Sequence, residues 1–413
     1  MKILTAPYVL TMQGPIREKQ GVVIDEGLIL EIGPVDTLLQ KYPKATREDY
    51  AQSVLMPGLV NAHSQLEFLS LAQTGKSLSL TEWLILTREH RKKITPVERR
   101  THLLEGMDRL LSAGTTCTAD VGDYVGVIPS LAKQPLRMIL FPEIFTSAEK
   151  TVQTDYEAVF TMVDEIAALD SPHIRPGLSP YAAYTVSGSL LKILSRAAEQ
   201  QKLPIKIHAA ESFAEMQFFF ESAGEIAEQL FPALGWDTLP LPHRKTPIQF
   251  LDSLQFLGPR TILVGGIHLA DGDLQILKKR ESKIAFTPRH QAACQFGILP
   301  LKKLKQAGIP IGLGTDGLGL QSVSLWDEMR YVLDRPKEYG LSALDLLQMA
   351  TLEAARVLGM EREIGSLEPK KRADLIAVKL PPKTTSEQLL TTLIQETSEG
   401  QIKAVYIDGQ KIR

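Results

Sequence analysis

Eight short apolar runs, each followed by an amphipathic stretch, constrain the fold of this chain more than any other feature. The runs fall at 59–63, 115–120, 136–145, 174–179, 204–209, 261–268, 283–287 and 309–315. Between them lie helical patterns at 79–93, 96–113, 151–168, 187–201, 212–230, 271–280 and 299–307. Strands alternating with helices call for parallel pairing, and a count of eight predicts an α/β fold with a closed (β/α)8 TIM-type barrel rather than an open sheet. The two ends read differently. Residues 1–56 and 364–413 alternate in the manner of hairpin strands, as in Ala373-Asp374-Leu375-Ile376-Ala377-Val378. Neither end is long enough to bury much core alone, so the two are expected to form one small composite β-sandwich beside a barrel at 57–363.

A barrel of this kind carries its chemistry at the C-terminal ends of its strands. Those positions hold His63 and Gln65, Tyr181, His208 with Glu211, His268, His290 and Asp316. Side chains at i and i+2 of a strand point to one side, so a strand ending His-x-His offers two imidazoles to one ion. Here the second position is Gln65, whose neutral amide is a poorer ligand for zinc or iron. Each residue also has an ordinary structural explanation. Asp316 before a glycine suits a turn, Glu211 suits the first turn of a helix, and Thr81-Glu82-Trp83 suits a helix start. His290 beside Arg289 suits a solvated surface. The shared placement of His63, His208, His268 and Asp316 at one end of separate strands favours a functional site.

Composition narrows the partners. Lys and Arg number 46 against 48 Asp and Glu, a formal charge of −2 that draws in neither nucleic acid nor an anionic membrane. Cys117 and Cys294 are the only cysteines in 413 residues, so no disulfide framework is expected. The opening Met1-Lys2-Ile3-Leu4 lacks the apolar core of a signal peptide, and no apolar run reaches spanning length. A small-molecule substrate in a reducing cytosol is the expectation.

These residues resemble the amidohydrolase superfamily over nearly the whole chain, and within it the cytosine-deaminase-like branch of methylthioadenosine, S-adenosylhomocysteine and aminofutalosine deaminases. The motifs are PGLVNAH at 57–63, EWL at 82–84, SPYAAY at 179–184, KIHAAES at 206–212, the long element at 246–269, TPRHQ at 287–291, GLGTDG at 312–317 and SLWDEMR at 324–330. The resemblance implies a barrel with a composite β-sandwich and one divalent metal: zinc first, with iron or manganese as alternatives. It implies His63, His208 and Asp316 as ligands, with Gln65 at the fourth ligand position. Glu211 matches the proton shuttle, His268 the imidazole that positions substrate or water, and Glu82 the residue that holds ribose hydroxyls. Tyr181 and His290 fall at substrate-contacting positions. The implied reaction is hydrolytic deamination of a purine-nucleoside-like compound, and an aminofutalosine substrate would place it on a menaquinone route. A homo-oligomer is expected by analogy alone.

The departures concentrate in the pocket. Gln65 replaces a ligand histidine, Tyr181 a base-contacting histidine, His290-Gln291 a Ser-Asn pair, and Leu320-Gln321 another Ser-Asn pair. Three ligands plus water suffice for a catalytic zinc, so a metal-dependent deaminase leads. A non-catalytic binding barrel and a different C–N hydrolase are the alternatives.

Overall fold

The computed structural model describes residues 1–73, 78–146, 149–317 and 322–413, which leaves Leu320-Gln321 outside the described residues. All eight expected barrel strands are present: Leu59–Ser64, Thr115–Gly122, Arg137–Ile144, Ile174–Pro176, Ile205–Ala209, Thr261–Gly265, Lys283–Phe286 and Ile311–Leu313. They pair in parallel and in chain order within two groups of four. Single bridges close the ring. Leu178 with Ile205 and Ala182 with His208 join the fourth strand to the fifth, and Ser64 with Asp316 joins the first to the eighth. The fourth strand breaks after Pro176 and resumes at Ser179–Pro180; prolines lack the N–H that a central ladder needs.

Val60, Ala62, Ala119, Ile139, Phe141, Ile262, Val264 and Ala285 come from five strands and meet in one fully buried cluster. Such shared burial is the main source of barrel stability, at roughly 25 cal/mol per Å² of apolar surface. The helices outside follow the expected pattern, with Leu80–Lys93 and Pro96–Ser112 each opened by a reciprocal capping box. One expectation is corrected. The stretch 212–230 is not one helix: Phe213–Glu221 ends at Ser222 in the left-handed region (φ 52°), Gly224 follows at φ +87°, and a π-turn covers Ile226–Leu230.

Strands from both chain ends share one eight-stranded sheet. Leu375–Lys379 pairs antiparallel with Ser53–Pro57, which continues through Lys2–Val9 and Arg17–Asp25 to Leu28–Pro34. Two helices in these segments, Val35–Lys41 and Leu389–Glu396, do not show in the alternating pattern. Arg137, buried on the third barrel strand, donates to Asp374 at 2.9 and 3.2 Å and to Asp408 at 3.0 Å, tying that sheet to the barrel. Both cysteines are free and buried. No described helix is long and apolar enough to cross a membrane.

Candidate active site

The first and eighth strand ends are stitched together by Asn61. Its amide donates to Thr315 Oγ1 at 2.8 Å, and its oxygen accepts from the backbone N–H of His63 at 3.2 Å and of Thr315 at 3.3 Å. The carbonyl of His63 accepts from the N–H groups of Thr315 (2.9 Å) and Asp316 (3.0 Å). Glycine permits this approach: a Cβ at Gly314 would stand 2.9 Å from His63 backbone, and one at Gly317 would stand 2.7 Å from Gln65. Asp316 adopts a left-handed backbone, φ 56°, and its Oδ1 accepts from Gly317 N–H at 2.6 Å.

This stitching sets a cluster of buried polar groups around Asp316. His63 Nε2 lies 3.2 Å from Asp316 Oδ2 with both side chains sealed from solvent. The pair lacks hydrogen-bond alignment, so both atoms, like His63 Nδ1, are without a hydrogen-bond partner. His290 Nδ1, also unpartnered, lies 3.6 Å from Asp316 Oδ1. His208 turns Nδ1 toward Glu211 at 3.1 and 3.2 Å and leaves a buried, unpartnered Nε2. The His63 and His208 rings meet edge-on, 5.3 Å between centroids. Gln65 is buried beside them with its Nε2 unpartnered, as is Nε2 of the buried Gln291.

Burial pushes the His63 imidazole down to about 3 despite the pull of Asp316. Burial works to raise Asp316, but His290 and His63 overcome it and hold the carboxyl well below the usual range. Burial likewise opposes charge on His208, and Glu211 outweighs it, raising the imidazole.

Tyr181 covers His208, its ring stacked at 4.5 Å and 22°. Arg88 lies 4.2 Å from the Phe145 centroid and 5.9 Å from that of Tyr181. Arg88 and Arg91 of helix Leu80–Lys93 both pair with the buried Glu143, and Arg91 also with Glu67, which fixes that helix across the barrel mouth.

Two expected residues lie apart. Glu82 is exposed, and its carboxylate accepts from Ser79 N–H at 2.8 Å in the capping box. His268 is half-buried, and its Nε2 donates to the Phe296 carbonyl at 2.7 Å. Among the described residues neither has a hydrogen bond or ion pair to the Asp316 cluster.

Other buried groups were not singled out from sequence. Lys206 donates to the carbonyls of Ala62 and Ala119, each at 3.1 Å, and burial pushes it down to about 7. It stands two residues before His208, a spacing that alternation makes readable. Asp120 accepts from Ser64 Oγ (2.8 Å), Leu66 N–H (2.9 Å) and Tyr124 Oη (2.8 Å), and burial raises it to about 7. Glu215 accepts from Glu211 N–H at 2.9 Å and Glu328 from Arg289 N–H at 3.0 Å; burial raises each to about 8. Both carboxylates sit in first turns of helices, where sequence suggests a cap.

The donor chemistry suits a divalent ion. Bonds of 2.0–2.2 Å in a tetrahedral shell put neighbouring donors about 3.3–3.5 Å apart, close to the 3.2 and 3.6 Å found on the two sides of Asp316. Orphaned buried nitrogens and a carboxylate oxygen at such spacing are costly without an occupant. The donors converge in pairs, however. Among the described residues no three His, Cys, Asp or Glu side chains already form a metal cage, so binding an ion requires them to draw together.

A model of the amidohydrolase family matches residues 54–412. The 5-methylthioadenosine/S-adenosylhomocysteine deaminase of Thermodesulfovibrio yellowstonii is 26% identical over 426 residues, covering 98% of this chain and 92% of that protein. The aminodeoxyfutalosine deaminase of Nitratiruptor sp. is 26% identical over 415 residues, covering 100% and 99%. Among solved structures, the Helicobacter pylori aminofutalosine deaminase in complex with methylthio-coformycin superposes with a TM-score of 0.87 at 21% identity over 100% of both chains. An adenosine deaminase from Xanthomonas campestris with bound zinc gives 0.83 at 23% identity, covering 99% and 92%.

Proposed function

The chain belongs to the amidohydrolase family, and on that premise we propose that it is a hydrolytic deaminase of a purine-nucleoside-like small molecule, working with one divalent metal, zinc first. The observation that carries this reading is the buried cluster of unpartnered donors, His63, His208, His290 and Asp316, at one end of the barrel. Full-length likeness to methylthioadenosine/S-adenosylhomocysteine and aminodeoxyfutalosine deaminases supports the substrate class.

His63, His208 and Asp316 would hold the ion, with Gln65 beside them. When bound, it supplies Lewis acidity and a nucleophile at neutral pH. Glu211 holds the His208 Nδ1 proton, which leaves Nε2 as the ligating lone pair. In the proposed reaction the same carboxylate takes the proton from the attacking water and delivers it to a ring nitrogen, and then carries the second proton to the leaving amino group, which departs as ammonia. Asp316, kept ionised, accepts a hydrogen bond from that water. Tyr181 and the Trp83 indole, 6.2 Å from the His290 ring, offer aromatic walls for a flat base.

One observation favours a second reading, a binding barrel without turnover: Gln65 stands where a strong ligand is expected, and no closed donor triad is present among the described residues. The deciding experiment is an ammonia-release screen of adenosine derivatives on zinc-loaded protein. Release that is lost with Glu211→Gln supports the deaminase. Ligand-dependent thermal stabilisation without ammonia supports the binding barrel.

A further inference from the structure

We propose that His290 is a metal ligand of this chain, joining His63, His208 and Asp316 in place of the imidazole that position 65 does not provide. The proposal rests on the reading of the pocket as a metal site and assigns one of its donors.

One imidazole is missing from the first strand end, and one stands unexplained on the helix Pro288–Ala293. The two facts meet at Asp316. His63 approaches Oδ2 at 3.2 Å and His290 approaches Oδ1 at 3.6 Å, so two imidazoles flank one carboxylate. His290 is 2% exposed, and its Nδ1 is sealed from water without a hydrogen bond. A buried nitrogen facing a carboxylate oxygen beyond hydrogen-bond distance forfeits its hydration without gaining a hydrogen bond in exchange. A cation between the two atoms removes that cost.

The ring is also held as a ligand should be. Its Nε2 lies 4.0 Å from Sγ of Cys294, the residue that caps the end of the helix, so Nδ1 is the nitrogen left for Asp316. Trp83 and Phe296 meet the ring edge-on at 6.2 and 5.7 Å, while Glu328 anchors the preceding residue through Arg289 N–H. The rival explanation is a plain His290–Asp316 ion pair with no ion bound. The two differ in what happens to metal affinity when the imidazole is removed.

The test is a zinc titration of the full chain by competition with a chromophoric chelator, with cobalt(II) absorption spectra as a second readout that needs no turnover. Wild type, His290→Ala, His290→Asn and the double variant Gln65→His/His290→Ala are compared. The expected result is close to one ion per wild-type chain, affinity at least tenfold weaker in both single variants, and recovery in the double variant. Loss of a ligand exceeds the roughly 10–100-fold known for supporting residues. Changed cobalt bands in His290→Asn accompany the loss. Unchanged zinc affinity in the single variants, or no zinc bound by wild type, overturns the proposal. Should His290→Ala unfold, His290→Asn carries the comparison. Failure of the deaminase reading is separately visible: ligand loss on mutating His290 without ammonia release from wild type keeps this assignment and removes the enzyme. Ammonia release with His290-independent zinc binding does the reverse.

Discussion

Tyr181 and His208 lie face to face, ring centroids 4.5 Å apart at 22°, and are tied at the backbone by a 2.7 Å bond from His208 N–H to the Tyr181 carbonyl. The stack makes the fourth strand end a wall for the imidazole on the fifth. Tyr181→Phe keeps that wall and is expected to change stability by less than about 1 kcal/mol. Tyr181→Ala removes a buried ring and should cost about 3–5 kcal/mol, the range for aromatic truncation in a core. Urea unfolding of both variants measures the difference. Equal stability would mean that the stack supports nothing.

Glu211 is bonded to His208 through Nδ1, and it is itself buried. Glu211→Gln keeps an oxygen acceptor for that N–H but removes the carrier of the proton. Turnover should fall by about 10²–10⁴ while zinc content stays near that of wild type. Joint loss of metal and activity would instead make Glu211 a support for the ligand alone.

Much of this arrangement was legible in the sequence. The eight strands and the strand-end histidines follow from hydrophobic periodicity, because strand side chains must alternate and loops must return to one barrel end. The side-chain commitments were not. Glu82 matches a substrate-contacting position, and its carboxylate also caps its own helix at Ser79, a local bond that motif matching does not show. His268 reads as a strand-end histidine, yet the strand stops at Gly265 and its ring bonds to Phe296. Lys206 and Asp120 went unread because a charged residue inside an apolar run is ordinarily taken as solvated.

Glu215 makes a prediction about pH. Burial raises its carboxyl to about 8, above the unfolded value near 4.3. Between those two values the folded chain holds a proton that the unfolded chain has released, so stability is greatest below about pH 4 and is lost as pH rises through 8. Glu215→Gln, which cannot ionise, removes this contribution. The variant should gain stability over wild type on moving from pH 5 to 8, as read by urea midpoints at each pH. Parallel curves for the two proteins would show that Glu215 is already charged in the fold.

The bond between Arg137 and Asp374 tests how firmly the terminal sheet is joined to the barrel. Both side chains are 1% exposed, and the guanidinium also reaches Asp408. Asp374→Ala leaves a buried cation short of its bidentate partner. Losses of about 3–5 kcal/mol are typical when one member of such a pair is removed, and the remaining bond to Asp408 places the expected value near the lower end. The double variant Arg137→Met/Asp374→Leu removes both charges and keeps the volume, so it should recover most of that loss, since an apolar replacement avoids the desolvation of either ion. Asp408 then keeps His173 at 2.9 Å and Arg372 at 3.0 Å as partners, so the swap strands no third charge. Thermal unfolding of the three proteins measures both steps. A double variant as unstable as Asp374→Ala would show that the charged pair orders the junction in a way apolar packing cannot replace.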